Sequence, residues 1–226
     1  MSIFKQKASS GGGGDWELPP EGNHSAVCVA VIDLGTHAES YQGVTKEQRK
    51  VYLAWELVGH TTKEGKPHVV CDQFTVSFNE KAKLRKLIET WRGKKFAEGE
   101  EFEVDKIVGR ACFLQISHGK SGSGNDIYKI DAVTTIPKGI PSPTGVLKPI
   151  LWGLESDEPI PSQEWLPFLF GKKVSDKIND CIEKRGRSAA KTTTAAPPPQ
   201  QQKPKPSQQP IPATISSDAD DFGDRF

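Results

Sequence analysis

The chain has 226 residues, 35% of them apolar, and 30 Lys and Arg against 29 Asp and Glu, for a net charge of +1. That length accommodates one core of about 130–160 residues plus tails, and the charge balance argues against a uniformly basic body: residues 188–226 carry four charges of each sign, so any cationic surface must be local. Cys28, Cys71, Cys112 and Cys181 stand singly, with no Cys-x-x-Cys and no His at ligand spacing. This argues against a zinc module, a disulfide framework or a metal cofactor, and no apolar run reaches the ~18 residues of a membrane span. With no signal peptide legible, the expectation is a soluble cytoplasmic protein with reduced thiols, no cofactor and no membrane partner.

Residues 1–15 read as a flexible arm, with Ser2-Ile-Phe-Lys5 as a small apolar-basic tip on the linker Ser9-Ser-Gly-Gly-Gly-Gly14. Such an end either frays or docks on a neighbouring subunit, which would make binding cooperative. The body starts near Trp16 and reads as strands. Ala26-Val-Cys-Val-Ala-Val-Ile32 is a near-continuous apolar run ending at a turn, Asp33-Leu-Gly35, followed by a polar loop from His37 to Lys46. In the second strand, Lys50 to Val58, Val51, Leu53, Trp55 and Leu57 share one face and Tyr52, Ala54 and Glu56 the other. Thr62-Lys-Glu-Gly65 is a hairpin turn, and Val69 to Phe78 a third strand rich in β-branched and aromatic residues.

A helix follows, with Asn79 placed to cap it, Gly93 to end it, and Leu84, Leu87, Ile88 and Trp91 repeating on one face. Residues 80–95 hold seven cations against Glu80 and Glu89, the local positive charge that the overall composition hides. A solvated helix face is the competing explanation of that run. After an acidic loop, Glu98 to Glu103, two more strands, Ala111 to His118 and Ile127 to Thr134, flank the Gly/Ser hairpin Gly119 to Asp126. Its Gly119-Lys-Ser is no phosphate loop: the Walker spacing requires a glycine where Leu114 stands, and a helix must follow instead of a strand.

Three strands, a helix and two strands is the order of an OB-fold, a five-stranded Greek-key barrel with one helix between strands 3 and 4. The expected fold is therefore mainly β, with that barrel over 16–137, a Pro-rich loop and C-terminal helical extension over 138–187, and disordered tails. In the extension, Trp152-Gly-Leu154, Trp165 to Phe170 and an amphipathic segment from Val174 to Ile182 are expected to pack on the barrel or to meet a partner. Residues 188–214, with Pro197-Pro-Pro, Gln200-Gln-Gln and Lys203-Pro-Lys-Pro, are a disordered linker by composition. Residues 215–226 close on an acidic peptide in which Asp218, Asp220, Asp221 and Asp224 flank Phe222 and Phe226. Carboxylates that steer and aromatic anchors that bind make a docking peptide; a solubilising tail is the alternative.

A folded domain, a Pro/Gln-rich linker and an acidic tip ending in Phe226 is similar to the layout of bacterial and bacteriophage single-stranded DNA-binding proteins. The tail departs from their common ending, with Phe222-Gly-Asp-Arg225 in place of an Asp-Ile-Pro segment. The body also resembles a group of bacteriophage-encoded single-stranded DNA-binding proteins. Val31-Ile-Asp-Leu-Gly35, Ala54-Trp-Glu-Leu57, Phe74-Thr-Val-Ser77, Lys83-Leu-Arg-Lys-Leu87 with Trp91-Arg-Gly93, and Gly109-Arg-Ala-Cys112 carry that resemblance over residues 18–137. The two resemblances imply coating of single-stranded DNA with little sequence preference during replication, recombination or repair, and recruitment of replication proteins by the tail; self-association on DNA is the role that docking of Ile3 and Phe4 on a neighbouring subunit would serve. A groove for a single strand needs cations and stacking faces. The cation candidates are Lys81, Arg85, Arg92, Lys94, Lys95 and Lys120, and the stacking candidates Tyr41, Tyr52, Trp55 and Tyr128, with core as the alternative for each aromatic. The five histidines are isolated and no nucleophile–base motif is legible, so no catalysis is expected. The rival function is a protein-interaction adaptor that uses the barrel and the tail without touching DNA.

Overall fold

The computed structural model describes residues 17–169 and 171–185. The strands are β1 (Gly22–Tyr41), β2 (Val44–Thr61), β3 (Pro67–Thr75), β4 (Ala111–Lys120), β5 (Asp126–Thr134) and β6 (Ile150–Trp152), with helices α1 (Lys83–Arg92) and α2 (Val174–Asn179). They form one mainly β architecture, a six-stranded sheet ordered β3-β2-β1-β4-β5, antiparallel except that β6 lies parallel to β1. No helix among the described residues is long and apolar enough to cross a membrane.

β1 is the axis of the sheet. Along one edge it pairs with β2 from Ala26 to Tyr41. Along the other it pairs first with β4 (Gly22 to Val27) and then with β6 (Ala30 to Ile32). Between those two, the Cys28 N–H donates to Arg110 O at 3.0 Å and Cys28 O accepts from Gly109 N at 2.7 Å. A bulge between Cys28 and Ala30 makes the change of partner: an extra residue breaks strict alternation, so Val29 and Ala30 both join the outer apolar layer while Cys28 and Val31 face the inner one.

That layering explains the unbroken apolar run of β1. The inner layer packs Ala26, Val31, Leu53, Trp55, Leu57 and Leu114 against Leu84, Ile88 and Trp91 of α1. The outer layer packs Val29, Ile32, Tyr52 and Ala54 against Trp152, Leu154, Leu169, Val174, Ile178 and Cys181 of the C-terminal extension. A strand covered on both faces reads as continuous hydrophobics instead of an alternation. The extension is fixed by hydrogen bonds as well. Buried Glu56 accepts from Val146 N and Leu147 N, both at 2.9 Å, and Glu183 accepts from Thr36 N (2.9 and 3.2 Å) and Thr36 Oγ1 (2.7 Å).

One side chain links the two outermost strands of the sheet, which is not closed by strand pairing among the described residues. The Tyr128 hydroxyl on β5 accepts from Cys71 N at 2.8 Å on β3 and donates to Cys71 O at 3.0 Å. No strand ladder joins β3 to β5 among the described residues; one phenol bridges the gap, and α1 packs on both strands across it. Burial pushes the Cys71 thiol up to about 11 and the Tyr128 phenol well above its usual range.

Three expectations change. The polar stretch His37 to Lys46 is not a loop: β1 continues to Tyr41 and turns at Gln42-Gly43 into β2, forming a projecting two-stranded ribbon. Gly35, expected in a turn, lies at a second bulge with φ 78°, and a Cβ there would meet Cys181 at 2.7 Å. The ribbon was illegible because both its faces are exposed, which leaves no apolar periodicity; its root is held by buried Lys50, bonded to Glu39, Gln48 and Thr75. Asn79 does not cap α1, which starts after Ala82 without a side-chain cap. Its carboxamide accepts from Lys81 N, closing a turn just upstream.

Y128F leaves the buried Cys71 N–H without an acceptor and is expected to cost about 1–3 kcal/mol, read as a lower urea midpoint at unchanged m. Glu183 provides a pH signature. Burial by itself would raise its pKa, but the Thr36 hydrogen bonds outweigh it and hold the carboxyl at about 2 against an ordinary 4.5. A lowered carboxyl stabilises the fold above the unfolded-state value and loses that contribution as pH falls toward the folded one. Wild type is therefore expected to lose its advantage over E183Q as pH falls from 4.5 to about 2 in parallel denaturation series.

Candidate nucleic-acid interface

The cation-rich stretch 80–95 folds as a turn, α1 and the start of the next loop, and the fold sorts its charges. α1 turns Leu84, Ile88 and Trp91 inward and ends at Gly93, whose left-handed φ of 67° lets its N–H and that of Lys94 bond back to Thr90 O and Glu89 O. Arg85 is bound inward: Nε donates to Glu89 at 2.9 Å, Nη1 to Phe78 O at 3.0 Å and Nη2 to Phe96 O at 3.5 Å. Arg92 pairs with Glu100 at 2.7 Å, and its guanidinium lies 4.4 Å from the centre of the Phe96 ring and 5.8 Å from that of Phe102. These two arginines hold the Phe78–Phe96–Phe102 cluster to the helix. The Arg85 hydrogen bond, followed by that from Phe96 N, lowers the Glu89 carboxyl; for Glu100, the Ala97 N–H comes first and Arg92 second.

Lys81, Lys94 and Lys95 are exposed and form no ion pair among the described residues. Lys120 pairs with Asp126 at the base of the β4–β5 hairpin, both side chains being mostly in solvent. It lies at one end of β5, whereas Gly93 abuts Thr135 just past the other end. The sequence-predicted cations are thus spread over about 30 Å of strand and do not converge.

The stacking candidates are corrected more sharply. Tyr52 and Trp55 are both 0% exposed and offer no face to a base. Trp55 belongs to the inner layer with Trp91, at a ring separation of 6.3 Å, and Tyr52 to the outer layer, its hydroxyl donating to Pro167 O at 3.2 Å. Tyr128 packs against the inner layer and commits its hydroxyl to Cys71. Tyr41 ends β1, but its side chain lies outside the described residues, as do Asp218, Asp220, Asp221, Phe222, Asp224 and Phe226. The signal that separates core from surface for Tyr52 was present in the extension: Trp152, Leu154, Leu169 and Ile178 needed an apolar face to cover.

A cleft of about 690 Å³ opens beside the C-terminal half of α1. Ile88, Trp91, Phe102, Ile107 and Ile136 give it an apolar floor, and Arg92, Lys106 and Arg110 its charge. The Trp91 indole is oriented by donating to Ala111 O at 3.0 Å. Exposed Lys94, Lys95 and Lys138 follow the lining residues Arg92 and Ile136 by two or three positions in sequence. Acidic groups offset part of this: Glu100 neutralises Arg92 and Glu103 pairs with Lys106 at 2.9 Å. Arg110 remains as an exposed lining cation without an ion pair among the described residues.

Lys106, Arg110 and Lys138 were not singled out from sequence. Arg110 stood in the quoted Gly109-Arg-Ala-Cys112 segment, but its place at the cleft depends on the 3₁₀ turn Val104–Ile107 and on the Gly109–Cys28 hydrogen bond. Among the described residues no group of three or more His, Cys, Asp and Glu side chains is arranged to hold a metal ion. No protein-family model matches the chain, and no curated protein matches it.

The two kinds of cation are separable by stability. R92M is expected to lose about 1–3 kcal/mol, from a charge-assisted hydrogen bond and two ring contacts. K95A is expected to stay within about 0.5 kcal/mol of wild type, both measured by urea denaturation.

Proposed function

We propose that the chain is a single-stranded DNA-binding protein of the bacteriophage type, which coats the strand with little base preference during replication or recombination in the host cytoplasm. In this reading the acidic C-terminal peptide recruits replication proteins. The observation that carries it is the cleft beside α1, whose lining combines partly exposed Phe102 and Ile136 with Arg92, Lys106 and Arg110, and whose sequence neighbours Lys94, Lys95 and Lys138 are exposed cations. Strand-nonspecific binding is built from those two ingredients. The segments that resemble phage single-stranded DNA-binding proteins support it. So does the topology: the sheet order β3-β2-β1-β4-β5, the helix between β3 and β4, and the approach of β3 and β5 at Tyr128 are what an OB-type Greek-key barrel would give.

One observation favours the adaptor reading. OB-folds bind oligonucleotides largely on the face of strands 2 and 3, and here the outer face around Tyr52 and Ala54 is covered by the extension. The DNA-binding reading therefore assigns the strand to the cleft, and an adaptor would use the remaining surface for protein alone.

Fluorescence anisotropy with a labelled ~20-nucleotide oligo-dT, a matching duplex and an RNA of equal length, each over a salt series, separates the two. The single strand is expected to bind with strong salt dependence and the duplex weakly. In K94A/K95A/R110A the slope of log K against log salt should fall by about 2, at ~0.7 per lost single-strand contact. Absence of binding to all three nucleic acids would leave the adaptor.

A further inference from the structure

Four of the five histidines gather at one end of the sheet, around residues 17–21, which lead into β1. His24 at the start of β1 and His60 at the end of β2 face each other, Nδ1 to Nε2 at 3.0 Å, with the rings edge to face at 4.6 Å. The other His24 nitrogen, Nε2, lies 2.9 Å from Pro20 O; a carbonyl only accepts, so Nε2 carries the proton. In the neutral ring Nδ1 is then a bare acceptor, and it takes the His60 Nε2–H. His68 on β3 lies within electrostatic reach of both rings and of Glu17. His24 and His68 are only 6% and 5% exposed. Residues 17–21 are fastened at three further points. Glu17 accepts from Lys63 N at 2.9 Å, Glu21 accepts from His118 N at 2.7 Å, and His118 Nε2 donates to Pro19 O at 2.7 Å.

Such a corner accepts neutral imidazoles and resists charged ones. One added proton can sit between His24 and His60, because one lone pair is enough to accept it; a second sets two N–H groups against each other at 3.0 Å. A proton on His68 adds another cation beside them. Burial is the largest influence on both His24 and His68 and lowers them from the ordinary 6.5. At His24 the Pro20 and Glu21 backbone groups oppose it and His60 adds to it; at His68 Glu17 opposes it, and His60 and His24 add to it. The other charged groups here bring little relief. Glu21 lies 3.8 Å from His118, Lys63 is a further exposed cation, and Lys66 is paired with Glu64 at 3.0 Å.

We propose that this histidine cluster is a proton-operated latch, which holds residues 17–21 against the ends of β1, β2 and β4 at neutral pH and releases them in mild acid while the sheet stays folded. Released histidines bind protons that the latched ones exclude. Closure is therefore complete above the ordinary value of 6.5 and is lost as pH falls through it toward the lower folded values. At about pH 5.5 each fully excluded proton favours the open form about tenfold, and two favour it about a hundredfold. The latch shares no residue with the α1 cleft, so it stands or falls independently of DNA binding.

Amide hydrogen exchange of the ¹⁵N-labelled full chain between about pH 7.5 and 5.5, corrected for the intrinsic exchange rate, reads the latch at the Lys63 and His118 N–H groups, whose acceptors are Glu17 and Glu21. Ordinary carboxylates stay ionised over that range, so the histidines alone titrate. Protection at both amides is expected to fall about a hundredfold, while the Leu53 and Trp55 amides deep in β2 keep theirs. In H60Q, whose side-chain amide can face His24 but takes no proton, and in H68Q, the fall should shrink to about tenfold. In the same wild-type samples the His24 and His68 ring resonances should titrate below 6.5. A fall of under about threefold, a fall shared by Leu53 and Trp55, an unchanged fall in both variants, or titration of both rings at 6.5 or above overturns the latch.

Discussion

Between Ala26 and Ile32, β1 is flanked on both edges and covered on both faces. β2 runs along one edge; β4, the Gly109–Arg110 backbone and β6 share the other. α1 and its neighbours close the inner layer and the extension closes the outer one. A buried backbone must find all its partners, so a strand this enclosed needs a bulge where one edge partner hands over to the next, and Val29–Ala30 supplies it. The remaining strands and both coverings are placed by reference to β1.

Enclosure on two sides has a functional consequence. The face of β2 that carries Tyr52 could have served a ligand, and the extension has taken it, anchored by Glu56 at one end and Glu183 at the other. Both carboxylates accept backbone N–H groups, so they act as fixed acceptors that stitch a loop and a helix end to strands. Two concave features among the described residues are the cleft beside α1 and the proline-lined groove on the extension itself. The first combines Arg92, Lys106 and Arg110 with an aromatic and aliphatic floor; the second combines prolines and tryptophans with one carboxylate, Glu158, and one cation, Lys148.

The seven cations of residues 80–95 show how a single run divides its labour. Arg85 and Arg92 have planar guanidinium groups that bond carboxylates and lie over rings at once, and both are drawn inward to hold the Phe78–Phe96–Phe102 cluster. Lys81, Lys94 and Lys95 stay in water. The sequence-based expectation named Lys81, Arg85, Arg92, Lys94 and Lys95 alike as cation candidates. The chemistry of the two side-chain types, given aromatic residues within a few positions, distinguishes them.

By itself, the sequence determined the mainly β class, the strands centred on the apolar runs, the alternation of Val51, Leu53, Trp55 and Leu57, and the helix with its Gly93 end, because local periodicity and turn chemistry carry those signals. It also gave the local excess of positive charge around α1. Only the tertiary structure decided the ribbon beyond Gly35, which has no buried face to leave a pattern, and the burial of Tyr52, which depends on a segment about a hundred residues downstream. The same holds for the meeting of β3 and β5 through one phenol, and for the cleft that gathers Trp91, Arg110 and Ile136 from three separate stretches. Which face of a strand sees solvent is set by what packs against it, and that information is distributed over the whole chain.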